Sequence, residues 1–222
     1  MIRAVLFDLD GTLVDSLYDL RDAVNFVLQK HGHPNITKEE TLMFIGNGNE
    51  ELIRRSLPED MRGDREYILK LRSEFFDYYQ NHCADNSTLF VGIKEMLTQL
   101  KNEGISCAVV TNKSQLMTDV VVPHLFDENT FSAVIGQRDG VPTKPEHHMP
   151  FLAMSEMDVN PDECLFVGDS GNDMEAGKNS GNIPVGVLWG YRDKEELLSK
   201  GARFIVEKPE QILEIIKNIN QC

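Results

Sequence analysis

The chain has 222 residues, with 22 Lys and Arg against 36 Asp and Glu and a formal net charge of −14. A chain of this size can form one large domain, or a core carrying an insertion, and buries roughly 70% of its unfolded surface. The acidic balance argues against a nucleic-acid surface, which needs clustered Lys and Arg, and no apolar stretch approaches the roughly 20 residues of a membrane span.

In chain order, the first element is the apolar run Ala4-Val5-Leu6-Phe7, which reads as a central strand. It ends in Asp8-Leu9-Asp10-Gly11-Thr12-Leu13, placing two carboxylates two residues apart where a buried strand meets its loop. Asp is disfavoured within strands, and ligands of open α/β sheets bind beyond the carboxyl ends of the strands. Asp8 is therefore placed for chemistry, although an Asp-Gly pair alone fits a solvated turn equally well. The same Asp8 interrupts the run too early for a signal peptide, so cytoplasmic residence is the expectation.

A helical block follows. Leu17, Leu20, Val24 and Val27 recur at helical spacing before Gly32, and Thr37-Lys38-Glu39-Glu40 has the spacing of a capping box. Leu52, Ile53 and Leu57 mark a further helix after Gly46-Asn47-Gly48, and Ile68, Leu71, Phe75 and Tyr78 mark another. Beyond residue 88 the period changes. Apolar strand candidates fall at residues 107–110, 133–135, 164–167, 185–188 and 204–206, most of them separated by helical segments. Ile93, Met96, Leu97 and Leu100 form one helical stripe closed by Gly104, and Pro209 opens another carrying Ile212, Leu213, Ile216 and Ile219.

This pattern predicts an α/β fold. Its core is a doubly wound parallel sheet, with residues 1–14 as a first core segment, 15–86 as an inserted all-helical cap and 87–222 as the second core segment. The four cysteines, Cys83, Cys107, Cys164 and Cys222, form no C-x-x-C pair and no zinc-spaced cluster, and read as reduced thiols.

If the strands are parallel, the ends of several of them bring chemistry to one edge. Residues 107–110 run into Thr111-Asn112-Lys113, Thr143-Lys144-Pro145 supplies an ammonium, and residues 164–167 run into Gly168-Asp169-Ser170-Gly171-Asn172-Asp173. A hydroxyl, an amide, an ammonium and two carboxylate clusters suit a phosphate held by donors beside a divalent cation held by oxygens.

Four motifs in this order, Asp8-Leu9-Asp10-Gly11-Thr12, Val110-Thr111-Asn112, Lys144-Pro145 and Gly168-Asp169-Ser170-Gly171-Asn172-Asp173, resemble the haloacid dehalogenase-like superfamily, in its phosphatase branch with a helical cap. Thr111-Asn112-Lys113, Trp189-Gly190-Tyr191 and Gly201-Ala202 are similar to the phosphoglycolate phosphatase subgroup. The resemblance implies a Rossmann-like core, Mg2+ as cofactor and a small phosphorylated metabolite as partner, acted on by a monomer or homodimer. It assigns Asp8 as nucleophile through an aspartyl-phosphate and Asp10 as general acid-base. Lys144 joins them in catalysis, and with Thr111 and Asn112 it holds the phosphoryl oxygens. Magnesium falls to Asp8, the Asp10 carbonyl and Asp169, with Asp173 supporting the site and orienting Lys144.

Asp10 favours phosphate-ester hydrolysis or mutase chemistry over dehalogenation, whose leaving group needs no proton. The reading is a magnesium-dependent phosphatase of a small phosphomonoester such as phosphoglycolate. A sugar phosphomutase of the β-phosphoglucomutase kind, an inorganic pyrophosphatase and a noncatalytic phosphometabolite-binding protein are its alternatives. Glu146-His147-His148 departs from the family pattern, since relatives often have a proline two residues after Lys144-Pro145. It reads as an exposed helix start in preference to a metal site. Arg54, Arg55, Arg62 and Arg65 offer bidentate pairing to a carboxylate, but solvated helix faces are the better reading. Trp189 reads as a packing residue.

Overall fold

The computed structural model describes residues 1–46 and 48–221. Asn47, of the Gly46-Asn47-Gly48 sequence, and Cys222 lie outside the described residues. The elements in chain order are β1 (Ala4–Phe7), β2 (Val14–Asp15), α1 (Leu17–Lys30), α2 (Lys38–Phe44), α3 (Asn49–Ser56), α4 (Arg65–His82), β3 (Thr88–Leu89), α5 (Ile93–Asn102), β4 (Ser106–Ser114), α6 (Gln115–Leu125), β5 (Ala133–Gln137), α7 (His148–Met157), β6 (Cys164–Gly168), α8 (Gly171–Asn179), β7 (Ile183–Val187), α9 (Lys194–Lys200), β8 (Phe204–Val206) and α10 (Glu210–Gln221). They fall into two compact units, residues 1–15 with 88–222 and residues 16–87.

The first unit is built on a sheet that, among the described residues, has six strands in the order β5-β4-β1-β6-β7-β8. Every neighbouring pair in it is parallel. All four residues of β1 are fully buried, so both of its faces are covered. This is why the strand reads as a continuous apolar run and not as an alternating one. Ala4, Leu6, Ala108, Val110, Cys164 and Phe166 pack with Met149, Ala153 and Met154 of α7 and Ala176 of α8 in one core cluster. Each large apolar side chain so buried contributes about 1.5–3 kcal/mol. The chain runs outward from β1 through β4 to β5, then returns to β6 and proceeds through β7 to β8. The direction of winding thus reverses beside β1, and the carboxyl ends of β1, β4 and β6 open there together.

A second, two-stranded antiparallel ribbon escaped the sequence pattern. Val14 and Asp15 of β2 pair with Leu89 and Thr88 of β3, and the chain enters and leaves the helical unit through this ribbon. Strands of two residues are too short to show a period. The longer strands also extend beyond the predicted limits. β4 continues through Thr111, Asn112 and Lys113 to Ser114, and β7 starts at Ile183.

In the second unit the four helices α1 to α4 are held by local and packing signals. The capping box is formed: Thr37 Oγ1 accepts the Glu40 N–H at 3.1 Å, and Glu40 Oε2 accepts the Thr37 N–H at 2.8 Å. Ile68, Leu71, Phe75 and Tyr79 form the buried stripe of α4. Tyr78 is only half-buried and stacks on Phe26 with ring centroids 3.9 Å apart, so the stripe ends on Tyr79 where the sequence pattern placed Tyr78. The arginines of this unit have partners within it. Arg54 and Arg55 each lie 2.6 Å from Glu51, Arg62 donates to the carbonyls of Leu57 and Arg55, and Arg65 lies 3.5 Å from Glu50.

Candidate active site

Asp8 follows the last residue of β1, and its backbone N–H donates to Val167 O at 2.9 Å, fixing it beside the end of β6. Lys144 Nζ lies 2.7 Å from Asp8 Oδ1 and 2.7 Å from Asp173 Oδ1, with only 2% of its side chain exposed. Burial alone would lower the pKa of this lysine, but the charges of Asp173 and Asp8 override it and hold the pKa above its ordinary value. The second oxygen of Asp173 accepts the N–H and O–H of Ser170, at 3.0 and 2.6 Å, in the capping box that opens α8. Both oxygens of Asp173 are thus engaged.

Asp169 follows β6 and is held at both oxygens. Thr12 Oγ1 donates to its Oδ1 at 3.1 Å, and the backbone N–H of Tyr191 donates to its Oδ2 at 2.8 Å. Two glycines make this arrangement possible. Gly11 has φ of +87°, and a Cβ there would overlap the Asp169 carboxylate. A Cβ at Gly190 would overlap both Asp169 and the Gly11 carbonyl. Trp189, on the same loop, donates its Nε1–H to Thr12 O at 2.9 Å. The Trp189-Gly190-Tyr191 segment therefore braces both the Asp8–Thr12 turn and Asp169.

One carboxylate oxygen from each of Asp8, Asp169 and Asp173 lies within 4.8 Å of the others. Burial, with the Asp173 charge second, pushes the Asp8 carboxyl up to about 7 against the pull of Lys144. Burial, then Asp173 and Asp8, pushes Asp169 up to about 8 against the hydrogen bonds from Tyr191 and Thr12. Lys144 leaves this group short of positive charge. A buried, oxygen-only donor set with excess negative charge fits a hard divalent cation such as Mg2+.

The irregular end of β4 supplies the opposite wall. The register with β5 shifts between Val110 and Ser114, which changes how successive side chains are presented. Thr111 is buried and its Oγ1 accepts the Lys113 N–H at 3.2 Å. The side chain of Asn112 is hydrogen-bonded to the backbone of Lys144. Its Oδ1 accepts the Lys144 N–H at 2.8 Å, and one of the two hydrogens on its Nδ2 goes to Lys144 O at 3.1 Å. A planar amide matches a backbone N–H and C=O pair, which makes Asn112 the clamp of the lysine loop.

Lys113 closes the Thr111-Asn112-Lys113 motif and has its own partner in the site. Its Nζ lies 3.1 Å from each carboxylate oxygen of Asp10, with 3% of the Lys113 side chain exposed. The sequence signal was present: a lysine at the end of a buried strand needs an anion. At Glu146-His147-His148 the ligating atoms come within 4.8 Å and the two imidazoles stack with centroids 4.4 Å apart, at the point where α7 begins with His148.

Residues 5–187 match the family described as haloacid dehalogenase-like hydrolase. The chain belongs to that family. It is 33% identical to the phosphoglycolate phosphatase of Vibrio vulnificus over 220 residues, covering 97% of this chain and 96% of that relative. It is 28% identical to the N-acetylmuramic acid 6-phosphate phosphatase of Pseudomonas aeruginosa over 216 residues, 97% of this chain and 95% of the relative. Among solved structures of the family's fold, that of a Lactobacillus delbrueckii subsp. bulgaricus protein provisionally named phosphoglycolate phosphatase superposes with a TM-score of 0.86 at 29% identity, covering 96% of this chain and 98% of that one. As a member of the family the chain is a hydrolase, similar in sequence to phosphatases. No helix among its described residues is long and apolar enough to cross a membrane.

Proposed function

We propose that the chain is a magnesium-dependent phosphatase of small phosphomonoesters, with phosphoglycolate as its substrate and Asp8 as its nucleophile. The observation that carries this reading is the placement of Asp8 against Lys144, 2.7 Å away, beside the buried carboxylates of Asp169 and Asp173. The similarity to phosphoglycolate phosphatases over nearly the whole chain supports the substrate.

Lys144 and the Thr111 hydroxyl offer donors to the phosphoryl oxygens, where fixed charge is worth most in a buried site. A carboxylate oxygen of Asp8 attacks phosphorus and the bond from phosphorus to the ester oxygen breaks. Asp10 gives its proton to the departing oxygen, releasing the alcohol and leaving a phosphoryl group on Asp8. In the second half Asp10 takes a proton from water as the water oxygen attacks phosphorus. The bond from Asp8 to phosphorus breaks and inorganic phosphate leaves. Asp8, the backbone carbonyl of Asp10 and Asp169 would hold Mg2+, which neutralises charge on the phosphoryl oxygens. Asp173 keeps Lys144 aimed at Asp8 and Asn112 keeps its loop in place.

The test is a substrate panel with purified protein, comparing kcat/KM for phosphoglycolate, N-acetylmuramic acid 6-phosphate, pyrophosphate and hexose phosphates, with and without chelator. Phosphoglycolate should lead, chelation should stop turnover, and Asp8→Asn should lower kcat by at least about 1,000-fold. Turnover retained in Asp8→Asn overturns the nucleophile. Isomerisation of a hexose 1-phosphate without free phosphate would replace the phosphatase reading by that of a mutase.

A further inference from the structure

We infer that Lys113 is the positioning residue of Asp10, holding the carboxylate that exchanges protons with the leaving group; this rests on the phosphatase reading above. The contact is bidentate, with Nζ 3.1 Å from Oδ1 and 3.1 Å from Oδ2. A carboxylate gripped at both oxygens has its plane and its torsions restrained, which a single hydrogen bond does not achieve.

The environment sets this pair apart from a surface ion pair. The Lys113 side chain is 3% exposed and that of Asp10 is 22% exposed. Exposed pairs form at little cost and do little, whereas a buried lysine gives up its hydration, and removing either partner of a buried pair leaves an uncompensated charge. The backbone is also shaped for it. β4 loses its register with β5 after Val110, and Thr111 Oγ1 takes the Lys113 N–H, so the lysine is directed by the irregular strand end and not by regular pairing.

Asp10 needs such a partner. It lies two residues beyond Asp8 on the turn around Gly11, where the Gly11 N–H donates to Val14 O at 2.8 Å. Nothing about a turn of this kind fixes the rotamer of a half-open aspartate. General acid-base catalysis depends on placing the proton within hydrogen-bond reach of the oxygen that departs, and a mobile carboxylate loses much of that advantage. The two lysines therefore divide the work: Lys144 serves the side of phosphorus and the nucleophile, and Lys113 the side of the leaving group.

The test separates this role from a merely structural one by varying the leaving group. An alkyl phosphate such as phosphoglycolate leaves as a poor alkoxide and depends on Asp10, whereas p-nitrophenolate departs with little need of a proton. Lys113→Met should lower kcat for phosphoglycolate by about 10- to 100-fold, and this loss should exceed the loss for p-nitrophenyl phosphate by about tenfold. KM should move much less than kcat. Lys113→Arg, which also reaches both oxygens, should recover most of the alkyl-ester rate and serves as the deciding variant if Lys113→Met does not fold. The double variant with Asp10→Asn should be no slower on phosphoglycolate than Asp10→Asn alone, because both changes remove one function.

Equal losses on the two esters, no recovery with Arg, or additive effects in the double variant would overturn the inference. If Asp10→Asn itself treats both esters alike, the acid-base reading of Asp10 fails and the role of Lys113 fails with it. If Asp10→Asn discriminates between them and Lys113→Met does not, only the role of Lys113 falls.

Discussion

Asp8 and Asp169 carry an electrostatic strain that a bound cation would relieve, and the strain has a definite sign. Their carboxyls rise from about 4 in the unfolded chain to about 7 and about 8 in the folded one. Between those limits the native state binds more protons than the unfolded state, so stability is lost as pH rises through the window and is fully retained below about pH 4 from these two groups. A divalent cation competes with those protons and binds better as they leave. Calorimetry in chelator should show the melting temperature lower at about pH 8.5 than at about pH 6 by way of this pair, and added Mg2+ should raise it more at the higher pH. A magnesium-induced shift that is equal at both pH values, or larger at the lower one, would contradict the metal assignment. Of the three carboxylates, Asp173 should matter least for the cation, since one of its oxygens faces the Lys144 ammonium and the other takes two hydrogen bonds from Ser170, whereas the hydrogen bonds to Asp169 come from the neutral donors Thr12 and Tyr191.

The loop after β7 decides how well Asp169 is held. Tyr191 donates its backbone N–H to Asp169 at 2.8 Å, and its hydroxyl lies 3.4 Å from Asp15 Oδ1. Gly190 is what allows the approach, because any Cβ there meets Asp169 and the Gly11 carbonyl. Groups that orient a metal ligand commonly change metal affinity by about 10- to 100-fold when lost. Gly190→Ala should weaken Mg2+ binding by about that factor in titration calorimetry, independent of any turnover assay. Unchanged affinity would show that the loop packs on the site without shaping it. This element was legible only in part. Trp189-Gly190-Tyr191 stands out in the sequence, yet no period or cap signal indicates which residue of the three approaches Asp169. β6 and the start of α8 were easier to read, because Cys164, Leu165, Phe166 and Val167 form an unbroken apolar run before Gly168.

For the molecule as a whole, the two compact units are joined through one short ribbon. Asp15 and Thr88 are register partners in it, so the ends of the core segments already lie side by side. Joining them directly through a two-residue Asn-Gly turn would close an ordinary hairpin and remove residues 16–87. The remaining chain keeps the whole parallel sheet and should give a cooperative thermal transition by circular dichroism. A broad, non-cooperative melt would mean that the core depends on the helical unit for its stability. The arginines of that unit bear on substrate choice in the same way. Arg54 and Arg55 are engaged by Glu51, which they hold down to about 2, so an anion would have to displace an existing partner to use them.

The period of the apolar residues, the Asp8-Leu9-Asp10-Gly11-Thr12 turn and the positions of Lys144, Asp169 and Asp173 were all readable along the chain, and they led to the α/β core and the family. They were readable because burial imposes a period on neighbouring residues, and a charged residue at the end of a buried strand is costly enough to stand out. The partner of each such group was not readable. That Asn112 clamps the Lys144 backbone, that Lys113 grips Asp10 and that Tyr191 holds Asp169 depend on contacts between residues 32, 103 and 22 positions apart. Contacts of that range leave no local pattern, since strand order, a register shift in β4 and the close approach allowed by glycine bring the groups together.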